Sequence, residues 1–337
     1  MRTGRCAITS MLVVLALGIA SGARARARVL KIGTAAPRGT PWAKAAEEMG
    51  ARFAEISHGR VELKVYPGVV GDEPTILRKM RVGQLQGALF TSTGLSLISR
   101  EPMALQLPMV FDSYEELDAV RQALEPELAA IFEKQGFVLL TWGDAGWLYF
   151  FTKKPARSLD DVKGLKTWMW ANDPHGVKMF EAIGFTPVVL SSVDLVPSLQ
   201  TGMIEAFPST PMVALATQAY SYAPNVVDVP WAPVIGAILV TKESWDQVPD
   251  ELKPELRKAC DAIGSRLRSE VRAQSEEAMA LMQKNGLRRH APSAEQLTAW
   301  RRTAEQLNAT TRGQALDAAL VDRVMALRDQ RRQRKAK

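Results

Sequence analysis

The chain has 337 residues, of which 47% are hydrophobic, and a formal net charge of +7 at pH 7. A chain of this size and apolar content buries a sizeable core and favours two lobes over one. Removal of residues 1–27 lowers the charge to +3, and residues 28–330 alone carry −2. A nucleic-acid-binding protein spreads basic residues over one face of its fold. Here the excess of basic residues lies at the two ends of the chain, which argues against nucleic acid as a partner.

The N-terminus has the pattern of a secretory signal peptide. Arg2 and Arg5 precede the apolar run 7–20, and small residues alternate with arginine over 23–27. We therefore predict a cleaved signal peptide over residues 1–27 and a periplasmic location. The apolar run is shorter than the roughly 20 residues of a membrane span, and a retained N-terminal anchor is the alternative.

The two cysteines exclude a lipid anchor and a disulfide. Cys6 precedes the apolar run, whereas a lipoprotein cysteine would follow it. After cleavage only Cys260 remains, so no intrachain disulfide forms, although export usually permits disulfides.

Strands and helices alternate twice along the chain. A first unit is predicted as strand, helix, strand, helix and strand over 29–34, 41–56, 60–68, 72–82 and 87–94. A second unit begins with the strand 165–170 and a helix that starts at Pro174 with Asn172 or Asp173 as its cap. Strands at 186–190 and 203–207 follow, with a helix between them.

This alternation predicts an α/β fold of two lobes with a cleft between them. Strands separated by helices of about ten residues favour mostly parallel sheets flanked by helices. Residues 245–331 are predicted to be a charged, helical C-terminal region, and residues 331–337 a basic disordered tail.

Catalytic and metal-binding patterns are missing from the sequence. His58, His175 and His290 lie in polar or turn contexts, and Cys260 lies inside a charged helical pattern. The sequence has no Gly-x-Ser-x-Gly elbow, phosphate-binding glycine loop or histidine pair at metal-ligand spacing. We therefore predict neither an enzyme nor a metal or cofactor site.

Aromatic and small polar residues recur at the ends of predicted strands. In open α/β sheets, ligands bind beyond the carboxyl ends of the strands. Trp168 and Trp170 are two residues apart on one strand, so both are expected to face the cleft. The candidate ligand-binding residues at strand ends are Phe90, Thr91, Thr93, Trp142, Trp147, Trp168, Trp170, Phe207, Ser209, Thr210 and Trp231, and Trp42 extends the same wall.

Several segments together resemble the substrate-binding proteins of TRAP transporters, of the DctP type. They are, in order, IGTAAPRGTPWAKA, VYPGVVGDE, GQLQGALFTSTGL, DDVKGLK, FEAIGFTPVVLSSVDLVPSLQTGMIEA and SWDQVPDELK. The resemblance implies a periplasmic binding protein fold (type II-like) that closes on a small molecule and delivers it to TRAP membrane permease subunits. It also implies discontinuous lobes, with lobe I over 28–147 plus 235–275 and lobe II over 148–234 plus 276–330.

The same resemblance exposes three departures from the family pattern. Trp168 and Leu148 stand where typical members have arginines that bind the ligand carboxylate, and Ser209 stands at the usual asparagine. A carboxylate enclosed without a partner loses several kcal/mol of hydration. We therefore predict an uncharged ligand that is apolar or aromatic, or lipid-like.

The sequence also permits other interpretations. An organic acid could bind without the usual arginine, or the tryptophans could plug the cleft of a partner-binding module. Similarity to Trp-bearing variants of the family also implies a helical-repeat (TPR) periplasmic partner, for which the C-terminal third offers a docking surface.

Overall fold

The computed structural model describes residues 27–171 and 173–336. Residues 1–26 of the predicted signal peptide lie outside this described part of the chain. Within it, no helix combines the length and the apolar character needed to cross a membrane.

The structure consists of strands joined by helices and followed by a helical C-terminal region. The strands are β1 (Arg28–Thr34), β2 (Val61–Pro67), β3 (Gly87–Thr91), β4 (Phe137–Thr152), β5 (Thr167–Trp170), β6 (Pro187–Leu190), β7 (Ala206–Ser209), β8 (Asn225–Val227), β9 (Ala232–Thr241) and β10 (Arg288–His290). The helices are α1 (Pro41–Ile56), α2 (Glu73–Arg81), α3 (Ser92–Ser96), α4 (Tyr114–Lys134), α5 (Leu159–Lys163), α6 (Pro174–Ala182), α7 (Leu195–Thr201), α8 (Pro211–Ala216), α9 (Lys242–Asp246), α10 (Lys253–Lys284), α11 (Ala294–Thr311) and α12 (Ala318–Ala336). Short 3-10 helices lie at Glu101–Gln106, Ser192–Asp194, Ala219–Ser221 and Asp250–Leu252.

Helix starts follow the capping chemistry of the sequence. The Thr40 side chain accepts a hydrogen bond from the Ala43 N–H, and Pro41 occupies the first turn of α1. At α6 the cap is Asp173, which accepts a hydrogen bond from the Gly176 N–H. Of the two caps that the sequence left open for α6, the structure therefore selects Asp173.

The strands form two lobes that share long crossing strands. The order is β2-β1-β3-β9-β4 in the first lobe and β4-β7-β5-β6 in the second, with β8 beside β4 and β10 beside β8. Pairs among the outer strands are parallel, whereas β9 and β4 pair antiparallel with their neighbours. The predicted two-lobed α/β fold is confirmed, with mixed sheets.

Strand β4 is the main connection between the lobes. It pairs with β9 from Phe137 to Leu148, with register shifts at Leu139/Thr141 and Asp144/Gly146, and its last residues pair with β7. The prediction that Trp142 and Trp147 lie at the end of a strand is therefore wrong. The buried run continues through these residues to Thr152 and leaves Trp142 and Trp147 in mid-strand.

Three buried clusters hold the fold together. One lies between α2, α4, α12 and the sheets, and a second packs α1 and α10 against the first lobe. The third, in the second lobe, centres on Phe150, whose ring centroid lies 5.5–5.9 Å from four aromatic neighbours. These neighbours are Phe180, Phe185, Trp231 and Trp300.

The C-terminus is helical through Ala336, so the prediction of a disordered tail from residue 331 is wrong for the residues described. Helix α12 packs against α4. Near its end, Arg332 donates to the carboxylates of Glu116 at 2.8 Å and Asp112 at 2.7 Å. The basic segment is therefore anchored by complementary acids at the start of α4.

Candidate functional site

A cavity of about 150 Å³ lies between the two lobes and is called the chamber below. Its walls are mostly apolar, with several hydroxyl-bearing residues among them. The lining residues are Ser92, Thr93, Ser96, Arg100, Met103, Gln106, Leu107, Pro108, Leu148, Asp173, Gly176, Met179, Phe180, Trp231, Ala232, Thr311, Ala315 and Leu316. Three of the predicted site residues, Thr93, Leu148 and Trp231, meet here.

The lobe I wall depends on a buried carboxylate, Glu73. Its oxygens accept hydrogen bonds from the Thr91 N–H (2.6 Å), the Thr91 hydroxyl (2.9 Å) and the Gly94 N–H (2.7 Å). Burial raises the pKa of Glu73, although these hydrogen bonds oppose the shift. Glu73 therefore holds the β3–α3 turn that presents Thr93 to the chamber, and Thr91 has a structural partner.

The lobe II wall is clamped to the crossing strands. The backbone N–H of Trp231 donates to the Leu148 carbonyl at 2.9 Å, and the backbone carbonyl of Trp231 accepts from the Met109 N–H at 2.7 Å. The Trp231 ring lies edge-on against Phe150 and Trp300. Leu148 and Trp231 are thus fixed side by side, where they present apolar surface to the chamber.

The link between α11 and α12 contributes a further wall. Thr311, Ala315 and Leu316 line the chamber, and the Asn308 side-chain amide donates to the Pro108 carbonyl at 3.0 Å. Leu316 also belongs to the large central cluster. The C-terminal region therefore contributes directly to the candidate site.

Only two of the lining residues carry a formal charge, and they come from opposite lobes. Arg100 immediately precedes the 3-10 helix Glu101–Gln106 in lobe I, and Asp173 begins α6 in lobe II. Among the described residues, no hydrogen bond or ion pair involves the Arg100 guanidinium. Asp173 accepts the Gly176 N–H at 2.9 Å as the cap of α6.

The two tryptophans of β5 lie on one face of that strand, as the alternation predicts. Thr167 and Met169 are buried, whereas Trp168 and Trp170 are half-buried. Trp168 packs against the central cluster, and its buried indole N–H has no hydrogen-bond partner among the described residues. Neither tryptophan lines the chamber.

Three other residues that were predicted to bind the ligand contact neighbouring residues of their own lobe. The Trp42 indole donates to the Asp144 carbonyl at 2.9 Å. Phe207 stacks on Phe151 with ring centroids 5.1 Å apart. Trp147 lies 5.3 Å from the Tyr114 ring.

The remaining predicted residues are all buried. Phe90 is fully buried beneath Gly94, and Trp142 packs 6.2 Å from Phe132. The Ser209 hydroxyl donates to the Thr210 carbonyl at 3.3 Å, and the Thr210 hydroxyl has no partner among the described residues.

The chamber residues that sequence reasoning missed are mainly Arg100, Met179 and Phe180. Arg100 lies six residues beyond the predicted strand-end motif, in a segment without a periodic pattern. Met179 and Phe180 lie on the predicted helix after Pro174, but its orientation toward the cleft is a tertiary property. For the part of the chamber formed by α6, the one signal in the sequence was Asp173 at the capping position of the helix.

A second charged cluster, called the Asp144 network, lies in the first lobe beside the irregular part of β4. The Asp144 carboxylate accepts from Arg121 at 2.6 Å and from two nitrogens of Arg272 at 2.6 and 2.8 Å. Asp118 accepts from Arg272 at 2.7 Å and also pairs with Arg121. The Arg272 guanidinium lies 4.1 Å from the centre of the Tyr114 ring. Every charge in this network therefore has a partner.

No group of three or more histidine, cysteine, aspartate or glutamate side chains within residues 27–171 and 173–336 is arranged to hold a metal ion. The free thiol of Cys260 is buried, and burial raises its pKa to about 12. The chemistry that the chamber offers is therefore recognition by apolar surface, hydroxyl groups and two opposite charges.

A family match over most of the chain accompanies the two-lobed fold. Residues 32–312 match the family of bacterial extracellular solute-binding proteins, family 7 (DctP). Because this match spans most of the chain, the protein belongs to that family. Family members bind small-molecule ligands and deliver them to membrane permease components, so the chain is a TRAP transporter receptor and not an enzyme.

Individual relatives have low sequence identity to this chain but match it over most of its length. The chain is 25% identical to the C4-dicarboxylate-binding periplasmic protein DctP of Rhodobacter capsulatus, over 85% of this chain and 87% of that protein. It is 26% identical to a solute-binding protein of Chromohalobacter salexigens, over 67% and 68% of the two chains.

Solved structures establish the same fold. A TRAP periplasmic solute-binding protein from Ochrobactrum anthropi matches with a TM-score of 0.82 and 23% identity, over 92% of this chain and 97% of that one. One from Ralstonia eutropha H16, with bound (S)-2-acetolactate, matches with a TM-score of 0.80 and 22% identity, over 90% and 99%.

Proposed function

We propose that this receptor closes on a small ligand with an apolar body and no net charge, held in the chamber. The observation that carries the proposal is that Leu148 and Trp231, joined by a backbone hydrogen bond, both line the chamber on the lobe II side. The resemblance to TRAP receptors puts a carboxylate-binding arginine at position 148, and leucine provides no charge there. The closing bodies are lobe I, over 28–147 plus 235–275, and lobe II, over 148–234 plus 276–330.

The apolar wall supports this proposal. Removal of apolar surface from water contributes roughly 25 cal/mol for each Å² buried. Ligand pockets are commonly lined by aromatic and aliphatic side chains with a few polar groups that set orientation. The cavity beside Leu148 and Trp231 also favours an open binding site over a cleft plugged by the β5 tryptophans.

An organic acid is the second candidate ligand. Solved structures of the same fold hold succinate, in the protein from Sulfurospirillum deleyianum, and L-gulonate, in the one from Haemophilus influenzae. In this chain, Arg100 is the one cationic residue among those lining the chamber. An acid bound here would use a lobe I arginine in place of the lobe II arginines of the family.

Extraction of the ligand distinguishes the two candidates. Protein purified from its own cells is denatured, and the released small molecules are identified by mass spectrometry. We expect molecules with an apolar body and no net charge. Recovery of a dicarboxylate or a sugar acid would contradict the proposal.

A substitution at position 148 tests the position of the binding site. Leu148→Arg introduces a cation into the chamber, so titration calorimetry should detect succinate binding that the wild type lacks. Val69→Arg is the matched control, because Val69 is 75% exposed and does not line the chamber. Equal succinate binding by both variants would show that the chamber is not the site.

We further propose that residues 1–27 are removed on export and that the mature receptor is periplasmic, without a lipid anchor. Its partners are TRAP permease subunits and a periplasmic TPR protein that docks on α12.

The docking surface on α12 includes two exposed arginines, Arg331 and Arg334. The variant carrying Arg331→Glu and Arg334→Glu should recover less TPR protein than the wild type in pull-downs from periplasmic extract. Equal recovery would argue against this docking surface.

A further inference from the structure

The two charges of the chamber suggest how its ligand is oriented. Arg100 comes from lobe I and Asp173 from lobe II, and together they are the charged residues among those that line the cavity. No ion pair within 4.0 Å joins these two described residues. The chamber therefore presents one cation and one anion from opposite walls, and neither charge neutralises the other in this conformation.

Closure of the lobes around a ligand withdraws both charges from water. A charge enclosed without a partner is costly, whereas charge-assisted hydrogen bonds are among the strongest in proteins. A monoanion would satisfy Arg100 and leave Asp173 without a counter-charge. A cation would do the reverse, and an uncharged molecule would leave both without one.

We propose that the chamber recognises a zwitterion with an apolar side chain, that is, a small apolar amino acid. This inference rests on the proposed function, and it assigns the polar part of the same ligand. The carboxylate binds the guanidinium of Arg100, the ammonium group binds the carboxylate of Asp173, and the side chain packs against Leu148, Phe180 and Trp231. The ligand then bridges the two lobes and stabilises the closed state.

Cavity size limits the side chain. A dry cavity of about 150 Å³ in another protein accommodates benzene, and the chamber has about the same volume. Side chains of the size of leucine or phenylalanine fit this limit. The hydroxyl groups of Ser92 and Thr93 line the same cavity on the side of lobe I, where they supply further donors to a carboxylate.

Four probes with the same branched apolar body separate the contributions. They are L-leucine, 4-methylpentanoate without the ammonium group, 3-methylbutylamine without the carboxylate, and the uncharged 4-methylpentanamide. Calorimetric titration of the wild type should show the tightest binding for L-leucine. A hydrogen bond to a charged group contributes enough to predict a loss of about 10- to 100-fold when either charge is removed.

Variants assign each charge to its residue. Arg100→Gln should weaken L-leucine to the affinity of 3-methylbutylamine and leave the amine unchanged. Asp173→Asn should weaken L-leucine to the affinity of 4-methylpentanoate, while asparagine still caps α6. Arg81→Gln is the control, because Arg81 is an exposed arginine on α2 away from the chamber.

The outcomes separate this inference from the proposed function. If 4-methylpentanamide binds the wild type as tightly as L-leucine and Arg100→Gln changes neither, the zwitterion is wrong and the apolar, uncharged ligand stands. If 4-methylpentanoate alone binds, and Arg100→Gln abolishes it, the ligand is an organic acid and both proposals are overturned. If none of the four probes binds the wild type, the zwitterion is overturned, and ligand extraction alone decides the proposed function.

Discussion

Arginine and aspartate side chains occur in two contrasting settings in this receptor. In the Asp144 network, Arg121 and Arg272 contact the Asp144 carboxylate at 2.6–2.8 Å, and the aspartate side chain is 1% exposed. In the chamber, Arg100 and Asp173 line one cavity from opposite lobes, and no ion pair joins them. The same chemical groups thus form ion pairs in one region, whereas in the other the Arg100 guanidinium has no partner among the described residues and Asp173 has only the cap hydrogen bond of α6.

This difference indicates which charges act in folding and which in binding. A buried ion pair is retained only when hydrogen bonds satisfy its members, because desolvation of each ion is expensive. The Asp144 network meets that condition from within the chain. In the chamber, Asp173 has the cap hydrogen bond from the Gly176 N–H but no counter-charge, and the Arg100 guanidinium has no partner among the described residues. A molecule bearing complementary charges would supply both counter-charges, so this pair is suited to ligand recognition.

The largest expected effect concerns the Asp144 network. Asp144→Ala removes the buried counter-charge of Arg121, whose side chain is 4% exposed, and leaves it only the more exposed Asp118. Loss of one partner of a buried pair costs about 3–5 kcal/mol, so the free energy of unfolding from urea titration should fall by that amount. Asp144→Asn serves as a second variant if the alanine form does not fold.

The control for that measurement is an aspartate in an exposed pair. Asp250 pairs with Lys253 at 2.6 Å, but its side chain is 94% exposed. Asp250→Ala should leave the unfolding curve unchanged. If Asp144→Ala and Asp250→Ala lower the free energy of unfolding by the same amount, the buried pair is no more important for stability than the exposed one.

A smaller effect is expected from acid. Burial opposes ionisation of Asp118, but the hydrogen bonds from Arg272 and the charge of Arg121 outweigh it and lower the pKa of the carboxyl. A lowered pKa stabilises the folded state above the ordinary aspartate value of about 3.9, and the contribution is lost as the pH falls through the lowered value. The stability gap between wild type and Asp118→Asn should therefore narrow below about pH 4. A gap that stays constant from pH 7 to pH 3 would contradict the role of Asp118.

The cap of α6 gives the third effect. Asp173→Ala removes the acceptor of the Gly176 N–H, and loss of such a cap costs about 1 kcal/mol. Asp173→Asn should restore the stability of the unliganded protein because its side-chain oxygen also caps. If the alanine and asparagine variants are equally destabilised, the charge of Asp173 is structural and belongs with the paired class.

Much of the fold is predictable from the sequence, because its local signals agree with the tertiary structure. Alternating strands and helices, the Thr40 cap and the prolines at helix starts give the α/β organisation before any contact is known. The length of β4 is not predictable in the same way. Its residues 141–147 include two glycines and an aspartate that imitate a strand end, and they form register shifts within one strand.

The site is predictable only where it follows the backbone order. Thr93 follows β3, and Leu148 and Trp231 lie where the strands cross between the lobes. The strand-end pattern predicts Thr93 and Trp231 as site residues, and the family resemblance predicts Leu148. Arg100 and Phe180 come from segments whose approach to the cleft depends on how the lobes pack. Trp168 illustrates the opposite case, because the alternation gives its face correctly while its packing against the central cluster is set by tertiary neighbours.

The smallest expected effect is at Arg100, and it tests the comparison most directly. Arg100 is exposed and its guanidinium has no partner among the described residues, so Arg100→Gln should change the free energy of unfolding by less than about 0.5 kcal/mol. A ligand that binds only the folded state adds stability that grows with its concentration relative to Kd. Thermal denaturation with L-leucine should therefore show a rise in Tm that is larger for the wild type than for the variant at the same concentration. A variant destabilised without ligand would instead place Arg100 with the structural charges of the Asp144 network.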